Sequence, residues 1–468
     1  MRRKRVYRKL SQIVGGRLGF SYAAQLLSRL LFTGLFAIGC LSTSWEESLL
    51  TQGTLFRIPV GGFTWRVPPL LLVLAAIAGL WLIGRRSVPN LLRTRPGPTL
   101  IPVIGFGALI LLRSWPVHNA HTALVTLGGV VLFWSVTLYT WEAWPLRWIW
   151  PTFAALILVQ STIALLQFTR QQPLGLACFN EVAPFPEATG ASVIQVSGRR
   201  WLRAYGLTPH PNVLGGYLGI MNLVILGAWF AAPRRRRWLL LPLTLGAAAL
   251  SVTFSRSAWL GSALGLLFFL WQTRPWQRMQ TGSRRTRRLV IGVGVGLLLM
   301  MVGAGILYKD LLVTRLLRFD NPLEAASVRE RVRDAKQAWM LIRNRPLIGV
   351  GAGYYIDALW AWANATGRDF PAFQHVHNIP LLATAELGIS GALLWIWLTL
   401  GPPLRLLLDR HDGNRRSLHV GVTASFIVAF VVSLADYYLY LPATWWPGLY
   451  LGALCGAMTR QRGDHDGL

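Results

Sequence analysis

Negative charge is scarce in this chain: 18 Asp and Glu stand against 47 Lys and Arg, and charged residues of both signs make up only 14% of its 468 positions. With 53% hydrophobic residues beside so little charge, soluble domains, disordered tails and low-complexity fibres are excluded, since none of them hides or tolerates that much apolar surface. Cysteine is nearly absent. Cys40, Cys178 and Cys455 form no CxxC pair and no even framework, which excludes a disulfide scaffold and a thiolate metal site. Also missing are an HExxH pair, a Gly-x-Ser-x-Gly elbow and a Walker lysine, so neither a zinc protease nor a serine hydrolase nor a nucleotide phosphatase is indicated. The composition requires lipid as solvent.

What is present is a succession of apolar runs separated by short basic clusters such as Arg2–Arg5, Arg234–Arg237 and Arg284–Arg288. Twelve membrane spans are read, near 22–41, 67–84, 99–112, 120–141, 148–168, 212–232, 238–254, 257–271, 289–308, 378–400, 420–440 and 443–459. The first is taken as a retained span, although the basic start and apolar run ending at Cys40 share features with a signal peptide. The expected fold class is therefore all-α: a polytopic integral membrane helical bundle of about 12 transmembrane helices. Segments 1–20, 85–98, 142–147, 233–237, 272–288, 401–419 and 460–468 hold 28 basic and 5 acidic residues. Positive-inside bias makes that side cytoplasmic, with both termini inside. The basic excess thus reflects topology, and nucleic acid is not expected as a partner. Two long loops, 169–211 and 309–377, then face outward. The chain divides into 1–211, holding the first five spans and an outer loop read as irregular chain, and 212–468, carrying the large outer loop between helices 9 and 10. That loop contains a helical stretch near 328–343 and the glycine-punctuated Gly349–Gly353, which follows no strand and signals no nucleotide.

Polar residues collect at the outer face. Arg203 precedes the sixth span, Arg256 stands in the tight turn between the seventh and eighth, Arg331 lies in the large loop, and His375 and His377 precede the tenth span. An arginine at a span end equally well snorkels to lipid phosphate, but the positive-inside bias disfavours an outward arginine without an anionic partner. Helical spacing puts Arg331, Ala335, Ala338 and Ile342 on one apolar stripe and Arg329, Arg333, Lys336 and Arg343 on a solvated face. An imidazole is the natural general base near neutrality, its ordinary pKa being about 6.5. As a metal site the His-x-His pair lacks a third ligand. Glu386 and Asp436 are acidic at membrane depth. Half a helical turn separates Glu386 from His377, which suits a structural role, whereas Asp436 stands where it can orient a histidine or a sugar.

Four local motifs then carry a resemblance: Arg203-Ala204-Tyr205-Gly206-Leu207-Thr208-Pro209-His210-Pro211-Asn212; Thr253-Phe254-Ser255-Arg256-Ser257-Ala258-Trp259; Arg331 with Pro346-Leu347-Ile348-Gly349-Val350-Gly351; and His377-Asn378 with Ala385-Glu386-Leu387-Gly388-Ile389-Ser390-Gly391. From about Arg203 to Asp436 the chain resembles the O-antigen ligase and Wzy-type polymerase superfamily of bacterial polytopic membrane glycosyltransferases. The family pattern often has Asn or a small residue where His210 stands, and the first 170 residues carry none of its motifs.

The resemblance implies a glycan moved from undecaprenyl pyrophosphate to an acceptor hydroxyl (of a glycan, lipid or protein) at the outer face of the inner membrane, without metal or cofactor and with inversion. It implies His377 as base and Arg203, Arg256 and Arg331 on the pyrophosphate; His375 is the second choice for the base, and Asp436, Glu386 and Asn378 are read beside them as supporting residues. Repeat-unit polymerisation uses the same chemistry and is the alternative. A solute or inorganic-carbon transporter is the alternative from another class, and predicts polar groups at mid-membrane rather than at one face.

Overall fold

The computed structural model describes residues 23–31, 56–60, 63–67, 146–176, 179, 181–233, 235–274, 284–317, 322–351, 353–367, 374–408 and 414–437. Most of the spans read at 67–84, 99–112, 120–141 and 443–459, and all three cysteines, lie outside them; the span read at 22–41 is described only over 23–31, which is helical.

The described chain is mostly helical. A short antiparallel hairpin, β1 (Phe56–Val60) and β2 (Phe63–Val67), comes first. Then follow α1 (Leu146–Arg170), the hairpin β3 (Val193–Val196) and β4 (Arg199–Leu202), α2 (Pro211–Ala231), α3 (Leu240–Val252), α4 (Arg256–Thr273), α5 (Arg284–Leu307) and α6 (Lys309–Leu317). The chain continues through α7 (Pro322–Asn344), α8 (Tyr355–Thr366), α9 (Ile379–Leu408) and α10 (Asn414–Ser433). Among the described residues three segments are long and apolar enough to cross a membrane: Trp150–Arg170, Pro211–Ala231 and Arg416–Ser433. They fall on the spans read at 148–168, 212–232 and 420–440.

Helix α2 forms the axis of the bundle. It carries no charge, starts with Pro211 at a position where a missing N–H costs nothing, and buries all but one of its residues against α1, α3, α4 and α10. In lipid no hydrophobic drive holds helices together, so close approach of small residues does the work. A Cβ on Gly227 would stand 2.8 Å from the Ser417 carbonyl oxygen and 2.9 Å from the Gly421 Cα of α10, so the α2–α10 crossing exists only with glycine at both positions.

The first outer loop is not irregular throughout. Val193–Val196 and Arg199–Leu202 pair in register around Ser197-Gly198, both at positive φ. Local pairing over so few residues leaves only a faint period-2 signal, which explains why it escapes a hydropathy reading. The helix read near 328–343 is α7, begun at Pro322 with Glu324 in its first turn and ended by Arg343 and Pro346. Helix α8 was not anticipated.

Helix α9 is broken. Asn378 accepts the Leu381 N–H at 2.9 Å as its N-cap, but at Gly388 the backbone turns to φ 71° and ψ −172°. Into this break slots Pro346–Gly351: Val350 N–H donates to the Ala385 carbonyl at 2.8 Å, Gly351 N–H to Glu386 at 2.8 Å, and Ile389 N–H to Pro346 at 2.9 Å. Any Cβ on Gly388 would overlap the Leu347 carbonyl, and one on Gly349 (φ +64°) the Glu386 carbonyl. The glycines of 349–351 thus join the loop that carries α7 to α9, which fixes α7 over the end of the bundle.

Candidate functional site

Two polar assemblies meet at the end of the bundle where α2, α4 and α9 begin. The first is built on the turn Thr253-Phe254-Ser255 between α3 and α4. Phe254 adopts a left-handed conformation (φ 49°), rare and costly for an aromatic residue, and its ring is buried. The turn aims two carbonyls at arginines: Thr253 O accepts from Arg203 Nε at 2.7 Å, and Phe254 O from Arg315 Nε at 2.9 Å.

Arg203, only 4% exposed, also donates to Ser192 Oγ at 2.7 Å and Asn212 Oδ1 at 2.6 Å. Asn212 in turn donates to Asp436 Oδ2 at 2.9 Å, and Asp436 Oδ1 accepts the Tyr437 N–H at 2.9 Å. Among the described residues no carboxylate pairs directly with Arg203. Burial, then the positive Arg315, holds its pKa well below the ordinary arginine range.

Arg256, at the first position of α4, reaches Glu324 Oε2 at 3.1 Å, and buried Arg315 holds the other carboxylate oxygen of the same Glu324. Arg331 is half-buried and has no hydrogen-bond or ion-pair partner among the described residues, yet its charge is felt at both His210 and Arg256. Arg203, Arg256, Arg315 and Arg331 thus share one neighbourhood with two carboxylates, Glu324 and Asp436, leaving positive charge in excess.

The second assembly centres on His377. Its Nδ1 lies 3.2 Å from Oδ2 of Asp334, a wholly buried residue of α7. The carboxylate also accepts Gln374 Nε2 at 2.9 Å and Arg333 Nε and Nη2 at 3.1 and 3.0 Å. Burial alone would raise the Asp334 pKa. Hydrogen bonds from His377, Arg333 and Gln374 outweigh it and hold the carboxyl below the ordinary range. An ionised carboxylate only accepts, so Nδ1 of His377 carries the hydrogen and, in the neutral ring, Nε2 keeps a lone pair. Nε2 has no partner among the described residues, and the side chain is 24% exposed.

Tyr437 ties the assemblies together: its ring stands edge-on to His377 at 5.0 Å, one residue from Asp436. His375 is stacked on the Tyr355 ring (5.9 Å) with the Tyr437 ring tilted against it (5.5 Å), and burial, then the neighbouring His377, lowers its pKa. Asn378 spends its side chain on capping α9 and on the Leu434 carbonyl at 3.0 Å. Glu386 is buried in α9. Grooves of about 730 and 840 Å³ along α7 are lined by Val332, Lys336, Met340 and Trp362, and by neither His377 nor the four arginines.

Three residues were missed from sequence. Asp334 falls three positions after Arg331 and four before Ala338, on the very stripe read as facing inward, and this was an available signal. Arg315 and Glu324 had none, since their partners lie in the Phe254 turn and at Arg256, far off in sequence. Arg333, read as solvated, is held by Asp334.

Fold and site together define a helical membrane protein that gathers guanidinium groups and a carboxylate-backed imidazole at one end of its bundle. Residues 243–396, about a third of the chain, match the family model described as O-antigen ligase, and this stretch is similar to that family. The match covers Arg256, Arg315, Glu324, Arg331, Asp334, His375, His377 and Glu386, while Arg203, His210, Asn212 and Asp436 flank it. No curated protein matches the chain.

Proposed function

We propose that the chain is a glycosyltransferase of the inner membrane that moves a glycan from undecaprenyl pyrophosphate to an acceptor hydroxyl at the outer face. The likeness of residues 243–396 to the O-antigen ligase family supports a ligase or polymerase activity on glycans. The observation that carries the finer reading is the surplus of guanidinium charge beside an imidazole whose Nδ1 is committed to Asp334 and whose Nε2 is open.

Each part has a task. In the reaction the acceptor oxygen bonds to the anomeric carbon as the bond from that carbon to the pyrophosphate oxygen breaks, its electron pair leaving with the phosphate. His377 Nε2 takes the hydroxyl proton, and buried Asp334 stabilises the imidazolium that results. Charge growing on the leaving oxygen is met by arginines, which bind phosphate in bidentate fashion and stay ionised. Arg331, with open donors, is the direct ligand; Arg256 is half committed to Glu324; Arg203 and Arg315 supply fixed positive potential from beneath. Attack from the face opposite the departing phosphate inverts the anomeric centre. His375, held between two tyrosines, serves the packing around His377. Ligase-type transfer to a glycan, lipid or protein acceptor is placed first, with repeat-unit polymerisation second on the same residues.

The test is reconstitution with a fluorescent undecaprenyl-pyrophosphate glycan, following released lipid pyrophosphate and new glycoconjugate together. Replacing His377→Ala is expected to lower kcat about 10²–10⁴-fold in a folded protein, the usual worth of a positioned base. Asp334→Asn, which leaves Nδ1 of His377 without its carboxylate, is expected to lower kcat with little change in donor KM. Full activity in His377→Ala would remove the base, and solute flux through liposomes without transfer would favour a transporter.

A further inference from the structure

The motif that opens α2 holds a histidine for which the mechanism above has no role. His210 is the N-cap of α2, with extended backbone (φ −154°, ψ 144°), and its Nδ1 accepts the Asn212 N–H at 3.1 Å. Serine, threonine, aspartate or asparagine does this capping better, so capping alone does not call for an imidazole. Accepting at Nδ1 settles the tautomer: the neutral ring carries its hydrogen on Nε2, and protonating Nδ1 would set two N–H groups against each other. Nε2 lies on the ring edge turned away from the helix and has no partner among the described residues. The ring stands against Tyr205 (centroids 6.3 Å apart), and the groups acting on it are Arg203, His377, Arg315 and Arg331, the members of the proposed site.

Resting on the donor assigned under Proposed function, we propose that His210 is a fixed hydrogen-bond donor to a phosphoryl oxygen of the leaving pyrophosphate. The two imidazoles are complementary. His377 has Nδ1–H turned to Asp334 and a free lone pair at Nε2, so it accepts a proton; His210 has its lone pair turned to Asn212 and a free Nε2–H, so it donates and is unfit to act as base. Burial, then Arg203, His377, Arg315 and Arg331, holds its pKa at about 3, so the ring stays neutral and its tautomer intact wherever the enzyme works. A neutral imidazole N–H among arginines adds one directional bond without adding charge, which suits the one oxygen whose charge grows as the bond to the anomeric carbon breaks.

The full chain in nanodiscs, as wild type, His210→Ser and His210→Thr, provides the test. Both replacements keep a capping hydroxyl, which is too short to reach the place of Nε2. At pH 7.5 the thermal midpoint should hold, while affinity for undecaprenyl pyrophosphate falls about tenfold, the worth of one hydrogen bond to a charged group. The same loss is expected with inorganic pyrophosphate, and weakening confined to the lipid would overturn the phosphoryl assignment. Wild-type affinity in a folded Ser or Thr variant would reduce His210 to a cap and end the proposal. Wild-type protein that binds the lipid pyrophosphate but transfers no glycan would refute the transferase reading, while the affinity comparison still decides His210; no binding at all would refute both.

Discussion

Arginines 203 and 331 look alike in sequence and are opposites in place. Arg203 is buried with Thr253, Ser192 and Asn212 on its donors, whereas Arg331 has none of its donors taken among the described residues. Removing Arg203 strands two buried acceptors, Thr253 O and Asn212 Oδ1, each costing about 1–3 kcal/mol, and frees the half-buried Ser192 Oγ. Arg203→Lys is expected to lower stability by about 2–4 kcal/mol, because a point charge does not span three acceptors set around a planar fork. Arg331→Ala should leave the thermal midpoint in place and raise the donor KM about tenfold. A stable Arg203→Lys with only weakened donor binding would refute the structural account of that residue. At the same scale, His210 makes stability depend on pH. Unfolded, its pKa is about 6.5; folded, it is about 3. Between those values the unfolded state takes up a proton that the folded state refuses, so stability is full above about pH 6.5 and declines as pH falls toward 3. His375 adds a decline of the same sign. Thermal midpoints from pH 7.5 to 5 should therefore fall less steeply in His210→Ser than in wild type.

At the scale of the element, hydropathy located what hydropathy governs. The spans read at 148–168 and 212–232 are α1 and α2 to within a few residues, and the helix read near 328–343 lies inside α7. What escaped depends on contacts remote in sequence. Nothing local to Gly388 says that α9 must break there; the break exists because Pro346–Gly351 donates and accepts across it. Likewise Arg256, Arg315 and Glu324 converge only once α4, α6 and α7 are packed. His377 and the arginines drew notice because an ionisable group near lipid demands a reason, while Asp334 was passed over on a helix dense with charge. The insert makes α9 the lever that holds α7, and with it Asp334, over His377. Gly388→Ala forces a Cβ into the Leu347 carbonyl at a left-handed backbone position and is expected to cost at least about 2 kcal/mol. Transfer should fall along with protection of the 346–351 segment from protease. Loss of neither would mean that the insert is incidental.

At the scale of the whole molecule the site's depth follows from helix length. Helix α3, Leu240–Val252, with the 3-10 turn Arg237–Leu239 that leads into it, rises about 25 Å, less than the roughly 30 Å of a bilayer's hydrocarbon. On the proposed topology its first end, beside the basic cluster 234–237, is anchored at the cytoplasmic surface. Its other end, with the Phe254 turn and Arg256, then falls short of the outer interface, so the floor of the arginine cluster is recessed into the outer leaflet. The lipid-linked pyrophosphate of the proposed reaction would enter such a recess from the side without leaving the membrane, and the proposed acceptor would arrive from water along α7. The topology is testable in a background with Cys40, Cys178 and Cys455 replaced by serine. A cysteine at exposed Lys336 on α7 should react with a membrane-impermeant maleimide in intact spheroplasts. One at exposed Arg237, before α3, should react only after lysis. Labelling in the reverse order would put the arginines and His377 at the cytoplasmic face, where the positive-inside rule alone explains outlying cations, and the pyrophosphate reading would lose its foundation.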